Sequence, residues 1–144
     1  MRNERGITLI ALVITIVVLL ILAGVTITYA LGDNGLFSNA KKAELNSELG
    51  NIRDYAAMAK FDVATTYYTD AKLVEGQDAI LKVIANNFPG YPDGAITAET
   101  NALTATNGSL VGKYKVALQS ANKDGKTNAE VTVSDDGKIT VEAK

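Results

Sequence analysis

Between Ile7 and Leu31 the chain runs twenty-five residues without one charged side chain, behind a short leader, Met1-Arg2-Asn3-Glu4-Arg5-Gly6. No other feature constrains the fold as strongly. A segment this apolar has to be removed from water by lipid, by the rest of the chain or by another copy of itself. As a helix rising 1.5 Å per residue it reaches roughly 37 Å, enough to cross a hydrocarbon core of about 30 Å. Its only polar side chains are Thr8, Thr15, Thr26, Thr28 and the phenol of Tyr29. Threonine can return its hydroxyl to its own helix backbone, so it is tolerable there.

Three readings of the segment compete. A secretory signal has an apolar core of about 7–15 residues followed by a small-residue cleavage site. This run is longer than that, although Thr28-Tyr29-Ala30 would make a passable site. A plain N-terminal anchor, with Arg2 and Arg5 kept inside, satisfies the positive-inside rule. In the third reading the small residue Gly6 lies before the apolar run, so a cut there removes the basic leader and leaves the apolar helix on the mature protein.

The join Gly6-Ile7-Thr8-Leu9-Ile10-Ala11 resembles the class III signal of type IV pilins, usually G-F-T-L-[IV]-E. The segment Gly32-Asp33-Asn34-Gly35-Leu36-Phe37 is similar to the one that follows the apolar helix in Gram-positive, clostridial-type pilins. The resemblance covers roughly the first sixty residues. It implies cleavage between Gly6 and Ile7 by a prepilin peptidase, and methylation of the new terminus. It also implies a filament core built from Leu9, Ile10, Ala11, Val13, Val17, Leu20 and Gly24. Two positions depart from the pattern. Ile7 replaces a phenylalanine, and Ala11 replaces the glutamate that in the family neutralises the new amino terminus of a neighbouring subunit. A lone ammonium buried in an apolar core is expensive unless paired. An uncleaved leader would remove that cost.

Past Leu31 the pattern changes. Gly32 and Gly35 form a helix-breaking segment, and Gly24 is a second weak point that either loosens the helix or lets two helices approach closely. Helical periodicity returns from Leu36 to about Lys60, with Leu45, Leu49, Ile52, Ala56 and Ala59 on one stripe. Residues 61–109 are the least legible. Thr65-Thr66-Tyr67-Tyr68 fits a strand or a continuing helix, Asp78 to Asn87 a short amphipathic helix, and Phe88 to Gly94 a loop. Asn107-Gly108 predicts a hairpin after a short strand near Ala102–Thr106. Three strands follow. Leu110, Gly112, Tyr114, Val116 and Leu118 share a face in the first, Val131 and Val133 in the second, and Ile139, Val141 and Ala143 in the third. Asp136-Gly137 is a tight-hairpin signature between the last two.

The expected fold class is therefore α+β. A long N-terminal helix, half apolar and half amphipathic, packs on a C-terminal antiparallel sheet of three to four strands, the lollipop of the pilins. The expected divisions are a leader (1–6), an apolar membrane or filament-core helix (7–31), an amphipathic helix (32–60), a variable connection (61–109) and a β-meander (110–144).

The search for chemistry narrows the function classes. Cysteine and histidine are absent, which removes disulfides, the usual general base and the commonest metal ligand. There is no phosphate loop, so no catalytic residue, metal or cofactor is expected. The net charge of −2 gives nucleic acid no electrostatic footing. The turn from Asn122 to Asn128 is faintly like a calcium loop, but its two lysines and missing bidentate acid favour a solvated hairpin loop. Asn107-Gly108-Ser109 matches a glycosylation sequon, for which a tight turn is the simpler reading. Tyr67 and Tyr68 suggest either packed core aromatics or a glycan-binding edge.

The function expected from all this is a structural subunit of an extracellular type IV pilus-like filament. Its partners would be copies of itself in a helical homopolymer, the prepilin peptidase and the inner assembly machinery. Before assembly it would sit in the cytoplasmic membrane with its N-terminus inside. A pseudopilin of a secretion or DNA-uptake system, and an anchored monomeric surface binding protein, are the alternatives. An enzyme is the weakest.

Overall fold

The computed structural model describes residues 2–32, 34–120 and 125–144, with side chains from Glu4 onward. Two compact units are present, residues 1–42 and 43–144.

In the first unit, helix α1 spans Arg2–Leu31. Its threonines behave as an apolar helix requires. Thr8, Thr15, Thr26 and Thr28 donate their hydroxyls to the carbonyls of Glu4, Ala11, Leu22 and Gly24, each four residues back, at 2.7–2.9 Å. The helix continues through Gly24, where an added Cβ would meet nothing within 4 Å. It ends at the glycine pair. Gly32 N–H donates to Thr28 O at 2.9 Å and Gly35 N–H to Gly32 O at 2.8 Å. This folds the chain so closely that a Cβ on Gly35 would overlap the Tyr29 carbonyl oxygen and lie 2.5 Å from that of Ala30. Only glycine fits there. Helix α2, Leu36–Thr69, starts at once, with Asn39 N–H bonded to Gly35 O at 3.0 Å.

The second unit is built on the rest of α2. Its buried stripe is Ile52, Ala56, Ala59 and Val63, each 0% exposed. That stripe starts later than the sequence pattern suggests, because Leu45 and Leu49 are only half-buried. It also runs further, and the helix ends at Thr69 instead of near Lys60. Thr65 and Thr69 donate their hydroxyls to Phe61 O and Thr65 O at 3.0 Å, so the β-branched cluster is accommodated in helix. Asp70 stops it, capping a single 3₁₀ turn at Ala71–Val74 through Lys72 N–H. Helix α3, Gln77–Asn86, buries Ile80 and Ile84.

Five antiparallel strands follow: β1 (Ile96–Thr97), β2 (Leu103–Thr106), β3 (Ser109–Ala117), β4 (Asn128–Val133) and β5 (Ile139–Ala143). Their order is β1-β3-β4-β5, with β2 also paired to β3. Two strands thus precede the expected meander, both within 61–109: β2 matches the short strand expected near Ala102–Thr106, whereas β1, only two residues long, has no counterpart in the sequence pattern. Tyr114 lies opposite Val131, and Val131 opposite Val141, so one apolar face is in register across three strands. Gly112, at φ 132°, passes so close to Ala102 that a side chain would overlap its carbonyl.

The two hairpins differ. Asn107 and Gly108 both have positive φ, 53° and 78°, as a two-residue type I′ turn needs. Asp136-Gly137 instead sits within a longer turn, closed by Ser134 N–H to Lys138 O at 3.0 Å and Gly137 N–H to Ser134 O at 2.8 Å. Asp136 shapes it, accepting from the Ser134 hydroxyl and from Lys138 N–H at 3.2 Å. The calcium-like reading of Asn122–Asn128 falls in part outside the described residues, which resume at Gly125.

The core centres on Tyr114, edge-on to Phe88 at 6.3 Å, and Phe88 in turn meets Tyr55 and Tyr91 at 5.6 and 5.8 Å. Phe88 comes from the loop after α3 and is 3% exposed.

Candidate functional site

All nine positions expected at the processing junction and filament core lie on α1: Gly6, Ile7, Leu9, Ile10, Ala11, Val13, Val17, Leu20 and Gly24. The helix passes without interruption across Gly6 and Ile7. Leu9, Val13, Val17, Leu20 and Gly24 recur at spacings of four, four, three and four, which makes one helical stripe; Ile10 borders it and Ala11 falls on the opposite side. Burial does not favour that stripe over the others. None of the large apolar side chains from Ile7 to Leu31 is less than 47% exposed. An apolar face of this size open to water marks a contact surface for lipid or protein. By length and composition α1 is sufficient to cross a membrane. Gly32 and Gly35, the expected breakers, lie at the α1–α2 break.

The second unit carries two arrangements that the sequence patterns do not announce. The first is the Glu48 carboxylate on α2. Its Oε1 accepts from the Tyr91 hydroxyl at 2.9 Å and from Gln119 N–H at 2.7 Å, and its Oε2 from Ser120 N–H at 2.8 Å. Burial alone raises this carboxyl's pKa, but the hydrogen bonds from Ser120, Gln119 and Tyr91 together outweigh it and hold it below the ordinary glutamate value. Burial first, then its hydrogen bond to Glu48 and the charge of that carboxylate, push the Tyr91 phenol up. The Tyr114 phenol is raised by burial, and its hydroxyl has no partner among the described residues. These are structural ties. The second arrangement is a groove beside α2 with Phe61 and Tyr68 exposed along it.

Residues 1–27 match the family described as the prokaryotic N-terminal methylation motif, the class III signal of type IV pilins. No curated protein and no solved structure matches the chain. The motif, with long helices followed by an antiparallel sheet, supports a type IV pilin-like or pseudopilin-like protein. The motif implies processing by a prepilin peptidase and use of pilus assembly machinery. With the apolar helix, it also implies membrane anchoring before assembly. Motif and fold point to a structural protein.

Proposed function

We propose that this chain is the structural subunit of an extracellular type IV pilus-like filament, assembled from copies of itself through α1. The observation that carries the reading is the exposed, uncharged helix directly downstream of Gly6. In this reading the peptidase cuts between Gly6 and Ile7. Arg2 and Arg5 hold the N-terminus on the cytoplasmic side beforehand. The helix is then transferred from lipid into a bundle of identical helices, where Leu9, Ile10, Ala11, Val13, Val17, Leu20 and Gly24 pack. The second units form the filament surface, and the break at Gly32–Gly35 gives α1 local freedom from α2.

The test combines processing with assembly. Mass spectrometry of the assembled protein is expected to find Ile7 first, carrying a methyl group. Met1 would mark an uncleaved anchor and Leu31 a secreted head, and either would refute the reading. Val17→Arg places a charge in the helix centre, at a cost of about 3 kcal/mol per copy in a hydrocarbon-like setting. With membrane insertion verified by fractionation, the variant should leave no fibres on sheared cell surfaces. Intact fibres from Val17→Arg or Leu9→Arg would show that α1 is not the core.

A further inference from the structure

We propose that the second unit binds an extended β-linked polysaccharide in the groove beside α2. This goes beyond the filament reading and does not depend on it. The groove has a volume of about 670 Å³ and is formed by the sheet topology. The turn at Asn107-Gly108 and the turn around Gly137 stand at the same end of the sheet, since Gly112 of β3 is opposite Val133 of β4 and Val133 is opposite Ile139 of β5. Helix α2 is fastened to both turns. Lys60 Nζ donates to Gly137 O at 2.8 Å, and the Tyr68 hydroxyl to Asn107 O at 3.2 Å.

Along this groove Phe61 and Tyr68 are 74% and 78% exposed. Seven residues apart, they lie on one side of the helix and roughly 10.5 Å apart along its axis. That is close to the advance of two pyranose units in an extended β-linked chain, whose flat C–H faces stack on aromatic rings. Either ring alone would be an ordinary exposed aromatic. As a pair they share one side of α2, and Tyr68 is held in place. Its ring stands edge-on to Tyr67 at 5.4 Å and 86°, Tyr67 packs on the core, and its hydroxyl is tied to Asn107. An aromatic ring fixed before binding loses little freedom on binding.

The polar rim suits hydroxyl groups. Arg53 supplies donors, Asp54 acceptors, and Asn107 and Ser109 both. The charges of Arg53 and Asp54 offset each other, and the Lys60 ammonium is already engaged with Gly137. The lining keeps one net positive charge, that of Lys60, fixed on the Gly137 carbonyl, so the stacking pair and the hydroxyl-bonding rim dominate its chemistry and fit a neutral glycan.

The assay is retention of the full-length chain, in detergent micelles, on insoluble cellulose and on chitin, with insoluble starch as the α-linked comparison. Retention is expected on a β-linked support above that on starch, and unchanged by added salt because the ligand is uncharged. Phe61→Ala and Tyr68→Ala should each weaken it roughly three- to tenfold, as expected for one lost aromatic contact. Tyr68→Phe keeps the ring and should retain most of it. Met58→Ala, exposed on the same helix but outside the groove lining, should change nothing. Retention on neither β-linked support, or retention that survives both alanine variants, overturns the proposal. So does self-association of the chain that Phe61→Ala abolishes, which would make a second copy the occupant. Micelles require no filament, so this result is separate from the presence or loss of surface fibres in the Val17→Arg variant.

Discussion

Replacing Glu48 by alanine removes one side chain and unties three segments. Tyr91 follows α3, Gln119 and Ser120 follow β3, and all three meet a single carboxylate on α2 at 2.7–2.9 Å. A hydrogen bond to a charged group contributes about 1.5–3 kcal/mol when sheltered. Here Gln119 is exposed and the carboxylate itself only half-buried, so solvent screening reduces each bond to a fraction of that. Three such bonds make a loss of about 2 kcal/mol a reasonable expectation at neutral pH. The pH dependence has a definite sign. The folded-state pKa of Glu48 lies below its ordinary value of 4.5, so its contribution is fully present above that value and disappears as the pH falls through the folded pKa. Urea unfolding of the full-length chain in micelles, followed by the near-ultraviolet dichroism of the tyrosines, reads this directly. The gap between the native chain and Glu48→Ala should be widest near neutrality and should close in acid below the folded pKa. Glu48→Gln, with one acceptor oxygen and no charge, should fall between the two and lose the acid dependence. A gap under about 0.5 kcal/mol at neutral pH, the scatter of ordinary surface substitutions, or one that persists unchanged in acid, would refute the reasoning.

Two further substitutions test the packing. Tyr114→Phe deletes a buried hydroxyl that has no partner among the described residues; it should be neutral or stabilise the second unit by up to about 1 kcal/mol in the same urea experiment. Gly35→Ala forces a methyl group against the Tyr29 and Ala30 carbonyls; faster amide exchange at position 35 and at Asn39 should report the opened turn, and unchanged exchange would show that the close approach is not required.

Legibility divided along sequence distance. The apolar helix is readable because its signal is an unbroken local run, and the break because Gly32-Asp33-Asn34-Gly35 sets four residues of poor helix propensity side by side. The β3–β4–β5 meander was readable from alternation alone. Helix α2 runs past its periodic stripe because Thr65-Thr66-Tyr67-Tyr68 fits strand as well as helix by local pattern, while the burial of Val63 and the back-bonded threonines decide for helix. Strand β1 is two residues long and exists only through its pairing with Val116 and Lys115, a partnership that no local pattern contains. Asp136-Gly137 has the composition of a two-residue turn, yet Ser134 and Lys138 close the loop further out.

The same distinction separates the candidate sites. The positions on α1 were named from a motif and a periodicity, both local. Glu48 carries no signal in the sequence, because its three partners lie 43, 71 and 72 residues away and leave no trace near it in the chain. Tyr67 and Tyr68 show the intermediate case. As neighbours in a sequence they were weighed together, either both packed or both at a sticky edge. On a helix successive residues point about a quarter-turn apart, so the two readings apply to one residue each. Tyr67 packs against the core, and Tyr68 is exposed in the groove. The buried ring braces the exposed one at 5.4 Å. The feature that makes Tyr68 a binding surface is thus its neighbour's place in the core.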